Sequence, residues 1–194
     1  MSNWWLLAPE YAVLLAGIGA LFIGRWTGRD RDSALLGAVM CVVAAGAVVA
    51  MPLGAAFGGM VSLDGPARFA RLAVLAFTAV WLLWLSGRGV EDTRADEAAA
   101  LALFSATGGM LMSSATELVT LFMAMELSTL PAYILVGYRR GDIRNLEGAL
   151  KYFLMSMLTT LVALYGFSFL YGASGSTFYA GFDHLGQAGV IGVV

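Results

Sequence analysis

The sequence predicts an all-α integral membrane protein with about six transmembrane helices. The first observation is composition: of 194 residues, 60% are apolar and 12% charged, with a mean hydropathy of +0.81. Soluble domains carry about 25% charged residues, and a soluble fold cannot bury this much apolar surface. The second and third observations are the lengths of the apolar runs and the placement of the arginines between them.

Six apolar runs are long enough to cross a bilayer as helices, which takes about 20 residues. They are continuous rather than alternating and longer than transmembrane strands, which favours helices over strands. We assign all six to a single transmembrane domain over residues 1–194, with Trp4 and Trp5 as an interfacial anchor at its start. The predicted spans are 4–24, 33–53, 69–87, 97–114, 116–138 and 146–172.

The arginines lie mostly in the odd-numbered loops between these spans. Those loops hold Arg25, Arg29, Arg31, Arg88, Arg94, Arg139, Arg140 and Arg144, eight in all, against Arg68 and Arg71 on the other side. Cytoplasmic loops carry the excess of basic residues. The pattern therefore predicts a membrane protein with its odd-numbered loops in the cytoplasm and its N-terminus outside.

Two segments outside the spans carry further expectations. Residues 54–71, GAAFGGMVSLDGPARFAR, are glycine-rich and predict an interfacial loop or short helix before the third span. After the polar residues 173–187, a new apolar run, AGVIGVV, begins and the sequence stops within it. This pattern predicts a chain that is truncated or naturally short.

The chemistry of this chain is limited by its few metal-binding and basic residues. Cys41 is the one cysteine and lies in an apolar run, which favours a packing role. His184 is the one histidine and lies in the polar tail. We therefore expect no cofactor or metal bound by this chain. The absence of a basic cluster argues against a nucleic-acid partner, and the lipid bilayer is the expected surrounding.

Glu126 is the deepest acid in the sequence, in the middle of the apolar stretch FMAMELSTLPAYIL. A charge near the bilayer centre costs several kcal/mol, so ionisable residues there are candidates for function. A carboxyl group that gains and loses a proton at this depth is suited to a proton relay. Pro131 cannot donate to the carbonyl of Leu127, so we expect a helix break beside the acid. The alternative is a protonated Glu126 that only joins two helices.

Four further residues near the ends of spans have both a functional and a structural interpretation. Lys151 and Glu147 are four residues apart and can pair on one helix face, or Lys151 can extend to the membrane surface. Glu97 opens the fourth span, where the helix dipole alone favours an acid. Glu10 follows Pro9 near the start of the first span, and its side chain can simply extend to the outer membrane interface.

Several of these stretches together resemble a known family. They are FGGMVSLDGPARFARLAVL, EAAALALFSATGGMLMSSATELVTLFMAMELSTLPAYILVGYRR and NLEGALKYFLMSMLTTLVALYGFSFLYGASGS, with the PE of the first span. The chain resembles, from about Glu10 to Ser176, the antiporter-like membrane subunits of proton-translocating NADH–quinone oxidoreductase, respiratory complex I. Among these it is most similar to the subunit N family.

The resemblance implies an antiporter-like helical bundle of which this chain is the N-terminal portion. It implies a translocase subunit without a redox centre of its own, whose complex keeps NADH, flavin, iron–sulfur clusters and quinone in other subunits. Proton movement there runs through buried acids and lysines. Glu126 matches the family's glutamate on helix five, Lys151 and Glu147 match a pair opening helix six, and Glu97 matches the acid opening helix four. The family's lysine on helix seven would lie beyond Val194.

Three hypotheses follow from the sequence. The leading one is a membrane-arm subunit that contributes to proton translocation coupled to quinone reduction, with other membrane subunits as partners. The alternative is a subunit of a cation/proton antiporter, such as a Na⁺/H⁺ antiporter, without redox coupling. The third is a structural membrane segment whose acids only pair helices.

Overall fold

The computed structural model describes residues 4–27, 30–87, 95–138 and 143–182 of the chain, and these ranges form an antiparallel bundle of long helices. The loop arginines 29, 88, 94, 139 and 140, His184 and the final apolar run lie outside the described residues. The long helices are α1 (Ala8–Thr27), α2 (Asp30–Ala50), α3 (Gly65–Gly87), α4 (Ala95–Ser114), α5 (Leu118–Val136) and α6 (Ile143–Ser174). A 3₁₀ turn, Trp4–Leu7, leads into α1.

The helix α4 is the centre of the bundle and packs against α1, α2, α3 and α5. It is also the one long helix not apolar enough to count as a membrane span on its own composition; the other five are. Asp96 and Glu97 in its first turn, together with its serines, threonine and glycines, lower its mean hydropathy. The small residues also let neighbouring transmembrane helices approach closely. The core includes Val13, Leu75, Leu82, Leu103 and Met110, each fully or almost fully buried. Cys41 is buried in the same core, consistent with a packing residue.

The helix α6 lies at the edge of the bundle. None of its residues is buried in this chain, and α5 is the main helix that it contacts. The exposed side chains include Leu154, Leu158 and Tyr165. Apolar side chains suit contact with lipid or with further transmembrane helices, so this exposure agrees with a membrane-embedded helix.

The segment before α3 differs from the expected interfacial loop or short helix. It forms an antiparallel hairpin of β1 (Gly54–Ala56) and β2 (Val61–Leu63), in which Gly54 pairs with Leu63. Its turn contains two glycines at positive φ, 65° at Gly58 and 93° at Gly59, which other residues rarely adopt. The strands are too short to give an alternating pattern, so the sequence did not reveal them.

The hairpin belongs to an ordered layer at one end of the bundle, which we call the hairpin end. The layer also contains residues 115–117, between α4 and α5, and residues 175–182, after α6. The Thr116 N–H donates to the Met60 carbonyl at 3.0 Å, and the Tyr179 N–H donates to the Thr116 carbonyl at 3.1 Å. Hydrogen bonds thus join the hairpin, the α4–α5 turn and the chain after α6 across this end.

The helix bounds differ from the predicted spans at the hairpin end. The helix α1 begins at Ala8 rather than residue 4, and α6 ends at Ser174 rather than residue 172. The helix α2 ends at Ala50 rather than residue 53, and α3 begins at Gly65 rather than residue 69. The helix α5 begins at Leu118 rather than residue 116. The helices α2 and α5 are shorter than predicted beside the hairpin layer. The helix α3 is longer, because residues 65–68 form its first turn, where the Ala67 N–H donates to the Asp64 carboxylate at 2.8 Å.

Candidate functional site

Glu126 lies in the middle of α5, with hydrophobic residues on both sides along the chain. The residue is partly buried, and its Oε1 is fully buried without a hydrogen-bond partner among the described residues. Buried polar atoms are nearly always hydrogen-bonded, so an exception calls for an explanation such as a bound water or a functional role. Within the part of the chain that the structure describes, Glu126 thus presents a buried carboxyl oxygen without a hydrogen-bond partner in the middle of an apolar helix.

The helix α5 presents opposite faces to α4 and α6. Ala124 and Ser128 contact Gly108 of α4. On the other side, Phe122 lines a cavity against α6 and Tyr133 bonds to it. Glu126 follows Phe122 by four residues and precedes Tyr133 by seven, so helical periodicity places it on the α6 side. Its carboxyl therefore belongs to the seam between α5 and α6.

That seam is closed on one side of Glu126 and open on the other. Toward the end opposite the hairpin, the hydroxyls of Tyr133 and Ser156 are 2.6 Å apart, and the Tyr133 ring meets those of Tyr152 and Phe153 edge-on. Toward the hairpin end, an apolar cavity of about 290 Å³ separates the helices near Phe122. Glu126 lies where the contact between the two helices gives way to this cavity.

The predicted helix break at Pro131 is wrong. The helix α5 continues through Pro131 to Val136, with the proline buried within it. What remains of the expectation is one missing hydrogen bond, because Pro131 has no N–H to donate to the Leu127 carbonyl. Contacts with α4 explain why the helix continues: the Ser105 hydroxyl donates to the neighbouring Ser128 carbonyl at 2.8 Å.

The other predicted residues occupy the ends of their helices. Lys151 and Glu147 form an ion pair of 2.5 Å along α6, with 72% and 60% of their side chains exposed in this chain. Glu97, in the first turn of α4, accepts a hydrogen bond from the Tyr138 hydroxyl at 3.1 Å. The structure therefore joins Lys151 to Glu147 and Glu97 to the end of α5, with Glu126 deeper in the bundle.

The most buried ionisable pair in the described residues was not predicted. Arg71 is fully buried, and its Nη2 lies 2.8 Å from Oε1 of Glu10, which is 2% exposed. The guanidinium also donates to the Leu6 carbonyl at 3.3 Å and to the Ser114 hydroxyl at 3.0 Å. The carboxylate contact meets the distance of an ion pair without the alignment of a hydrogen bond. One arginine thus ties α1, α3 and α4 together beneath the hairpin.

Two more buried acids were missed. Glu117 accepts hydrogen bonds from Thr120 at 3.1 Å and Thr177 at 3.0 Å, joining the start of α5 to the chain after α6. Asp96 is buried against Gly24, where a Cβ would lie 2.3 Å from the Asp96 Cβ. The PE dipeptide of α1 was a visible signal for Glu10, but nothing local identifies the partners of these acids.

Comparison with known proteins agrees with this geometry. Residues 115–189 match the family described as "NADH:quinone oxidoreductase/Mrp antiporter, TM". NADH-quinone oxidoreductase subunit N 1 of Acidiphilium cryptum is 35% identical over 95% of this chain and 39% of its own length. Subunit N of Sphingopyxis alaskensis is 34% identical over 91% of this chain and 38% of its own length.

Among solved structures, a chain of respiratory complex I from Thermus thermophilus with bound aureothin superposes with a TM-score of 0.69 at 28% identity. The match covers 88% of this chain and 38% of that one. The chain thus has the fold of the antiporter-like membrane subunits. It is homologous over most of its length to subunit N of NADH-quinone oxidoreductase, as the sequence predicted. It spans about two fifths of the length of these relatives.

Proposed function

We propose that this chain is part of a proton-translocating membrane subunit of an NADH–quinone oxidoreductase, in which Glu126 carries the proton. The observation that carries the proposal is the buried, unpartnered Oε1 of Glu126 at the middle of an apolar span. A carboxyl in this setting can take a proton from one side and release it to the other when a nearby charge moves. The homology to subunit N supports the coupling of that charge movement to quinone reduction.

The remaining acids and the lysine act at the ends of the path. Lys151 and Glu147 would adjust the field at Glu126 from the end opposite the hairpin, since ionic interactions are weakly screened inside a membrane. Glu97, held by Tyr138, would do so from the start of α4. The cationic partner of Glu126 would come from the part of the relatives' length that this chain does not span.

The proposal includes a location and partners. The arginine distribution puts the hairpin end and the N-terminus outside a bacterial inner membrane. Lipid and other membrane subunits of the same complex would cover the exposed side chains of α6. The chain itself would bind no cofactor, and NADH, flavin, iron–sulfur clusters and quinone would belong to other subunits of the enzyme.

The test is Glu126→Gln in the assembled complex, reconstituted into vesicles and measured by a pH-sensitive dye during NADH oxidation. We expect the loss of coupled proton translocation through this subunit, because glutamine cannot release a proton. Glu126→Asp, which keeps a carboxyl, should retain part of the activity. Full pumping in the glutamine variant at a normal level of assembly would refute the proposal.

A second candidate is a cation/proton antiporter subunit without redox coupling, which the description of the matching family includes. Sodium-dependent rescue of growth in an antiporter-deficient host would favour it. Co-purification with flavin- and quinone-binding subunits would favour the first proposal.

A further inference from the structure

We infer that α4 positions Glu126 by docking the backbone of α5 on Gly108 and Ser105, and the inference rests on the proposed proton-carrying role of Glu126. Neither residue touches the carboxyl. Both act on the opposite face of α5, so they are positioning residues for the relay.

The first observation is the closeness of the two backbones. A Cβ placed on Gly108 would lie 2.4 Å from the Ser128 nitrogen, 2.7 Å from its Cα and 2.8 Å from the Ala124 carbonyl oxygen. These are backbone atoms of a helix, so no side chain can turn aside to make room. Only glycine allows α4 to approach α5 at this point, and the point lies two residues from Glu126 on either side along the chain.

The second observation is the hydrogen bond from Ser105. Its hydroxyl donates to the Ser128 carbonyl at 2.8 Å, next to the Leu127 carbonyl that Pro131 leaves without its helical donor. A helix that lacks one hydrogen bond can bend at that position. The α4 contacts hold α5 where it would otherwise be easiest to bend, and the depth and direction of Glu126 follow from that restraint.

The adjacent glycine supplies a matched control. A Cβ on Gly109 would lie 3.6 Å from the side chain of Val74, an ordinary contact with α3. Gly108→Ala and Gly109→Ala therefore add the same methyl group to neighbouring positions of one helix. Only the first must push α5 away, by about 1 Å if the 2.4 Å contact is to reach an ordinary distance.

The experiment is performed in the assembled complex with four variants, which are Gly108→Ala, Gly109→Ala, Ser105→Ala and Ser105→Thr. Ser105 lines an open groove between α3, α4 and α5, so the added methyl of threonine has room while the hydroxyl is kept. The readouts are the rate of coupled proton translocation, its pH profile, and the infrared carboxyl band that Glu126→Gln removes.

We expect Gly108→Ala to lower the rate about tenfold or more, since a misplacement of about 1 Å is enough for such losses, and to shift both the band and the pH profile. Ser105→Ala should shift them in the same way, and Gly109→Ala and Ser105→Thr should leave them unchanged. If Gly108→Ala prevents assembly, the comparison of the two Ser105 variants decides.

Two outcomes separate this inference from the proposed function. If Glu126→Gln stops translocation while Gly108→Ala and Ser105→Ala assemble with an unshifted band and profile, the positioning role is wrong and the proton-carrying role stands. If the bands shift but Glu126→Gln pumps fully, α4 positions the carboxyl as inferred, and the proposed function is the part that fails.

Discussion

The buried pair of Arg71 and Glu10 gives the sharpest prediction about stability. Replacing Arg71 with leucine removes the cation from a carboxylate that is 2% exposed, along with donors to the Leu6 carbonyl and the Ser114 hydroxyl. Breaking a buried ion pair by removing one partner costs about 3–5 kcal/mol, because the remaining charge is left uncompensated. We therefore expect Arg71→Leu to lower the free energy of unfolding by about 3–5 kcal/mol.

The double variant Glu10→Leu/Arg71→Leu tests whether the loss comes from the orphaned charge. Replacing both members of a buried pair with apolar residues is often neutral or stabilising. The hydrogen bonds to Leu6 and Ser114 would still be lost, at about 1 kcal/mol each. We therefore expect the double variant to be no less stable than Arg71→Leu alone, which means a strongly favourable coupling between the two sites.

Arg68→Leu is the control, since Arg68 lies one turn earlier on α3 and donates to the Met51 carbonyl rather than to a carboxylate. It should cost about 1 kcal/mol. The assay is reversible unfolding of the purified full-length polypeptide in mixed micelles by titration with SDS, followed by tryptophan fluorescence. The reasoning is refuted if Arg71→Leu costs no more than Arg68→Leu, or if the losses of Glu10→Leu and Arg71→Leu simply add in the double variant.

Two further predictions concern the contacts of α6 and those of residues 175–182, which follow it. Tyr133→Phe keeps the edge-on ring contacts and removes the hydroxyl bond to Ser156, so it should cost about 0.6–1.7 kcal/mol in the same unfolding assay. A cost near zero would mean that the bond adds nothing. Glu117→Gln weakens the bonds to Thr120 and Thr177, and we expect faster amide hydrogen exchange after α6, measured by mass spectrometry, with exchange in α3 unchanged as the internal control. Equal exchange rates in both proteins would contradict the role assigned to Glu117.

The helices and Glu126 could be predicted because their signals are local and strong. An apolar run of about 20 residues has few structural solutions other than a membrane helix, and an acid in the middle of one is rare enough to draw attention. The position of each helix in the bundle carried no such signal. The helix α4 is central because of small residues spread along it, whereas its mean hydropathy alone would rank it last among the spans.

The pairing of Glu10 with Arg71 could not be predicted, because the two residues are far apart in the sequence. The rest of α1, all of α2, the hairpin and the first turns of α3 lie between them. The sequence predicted Arg71 at the start of the third span, as one of two basic residues on the outer side, whereas the folded chain buries it completely. Pro131 led to a different error, because the sequence predicted a helix break that the folded chain does not contain. Its local effect is real, but contacts from Ser105 and Gly108 keep α5 helical, and tertiary contacts of this kind leave no trace in the sequence of α5 itself.

The Glu10–Arg71 pair also has a consequence for the order of events during synthesis. Glu10 leaves the ribosome about 61 residues before Arg71, since 71 − 10 = 61, which at bacterial rates is about 3–12 s. During that interval Glu10 has no cation from α3 beside it, and an isolated charge buried in the bilayer is costly. The carboxyl gains its partner only when the third span brings the guanidinium of Arg71. The ion pair can therefore join α1 to α3 before α4, which follows them in the sequence, packs against both helices.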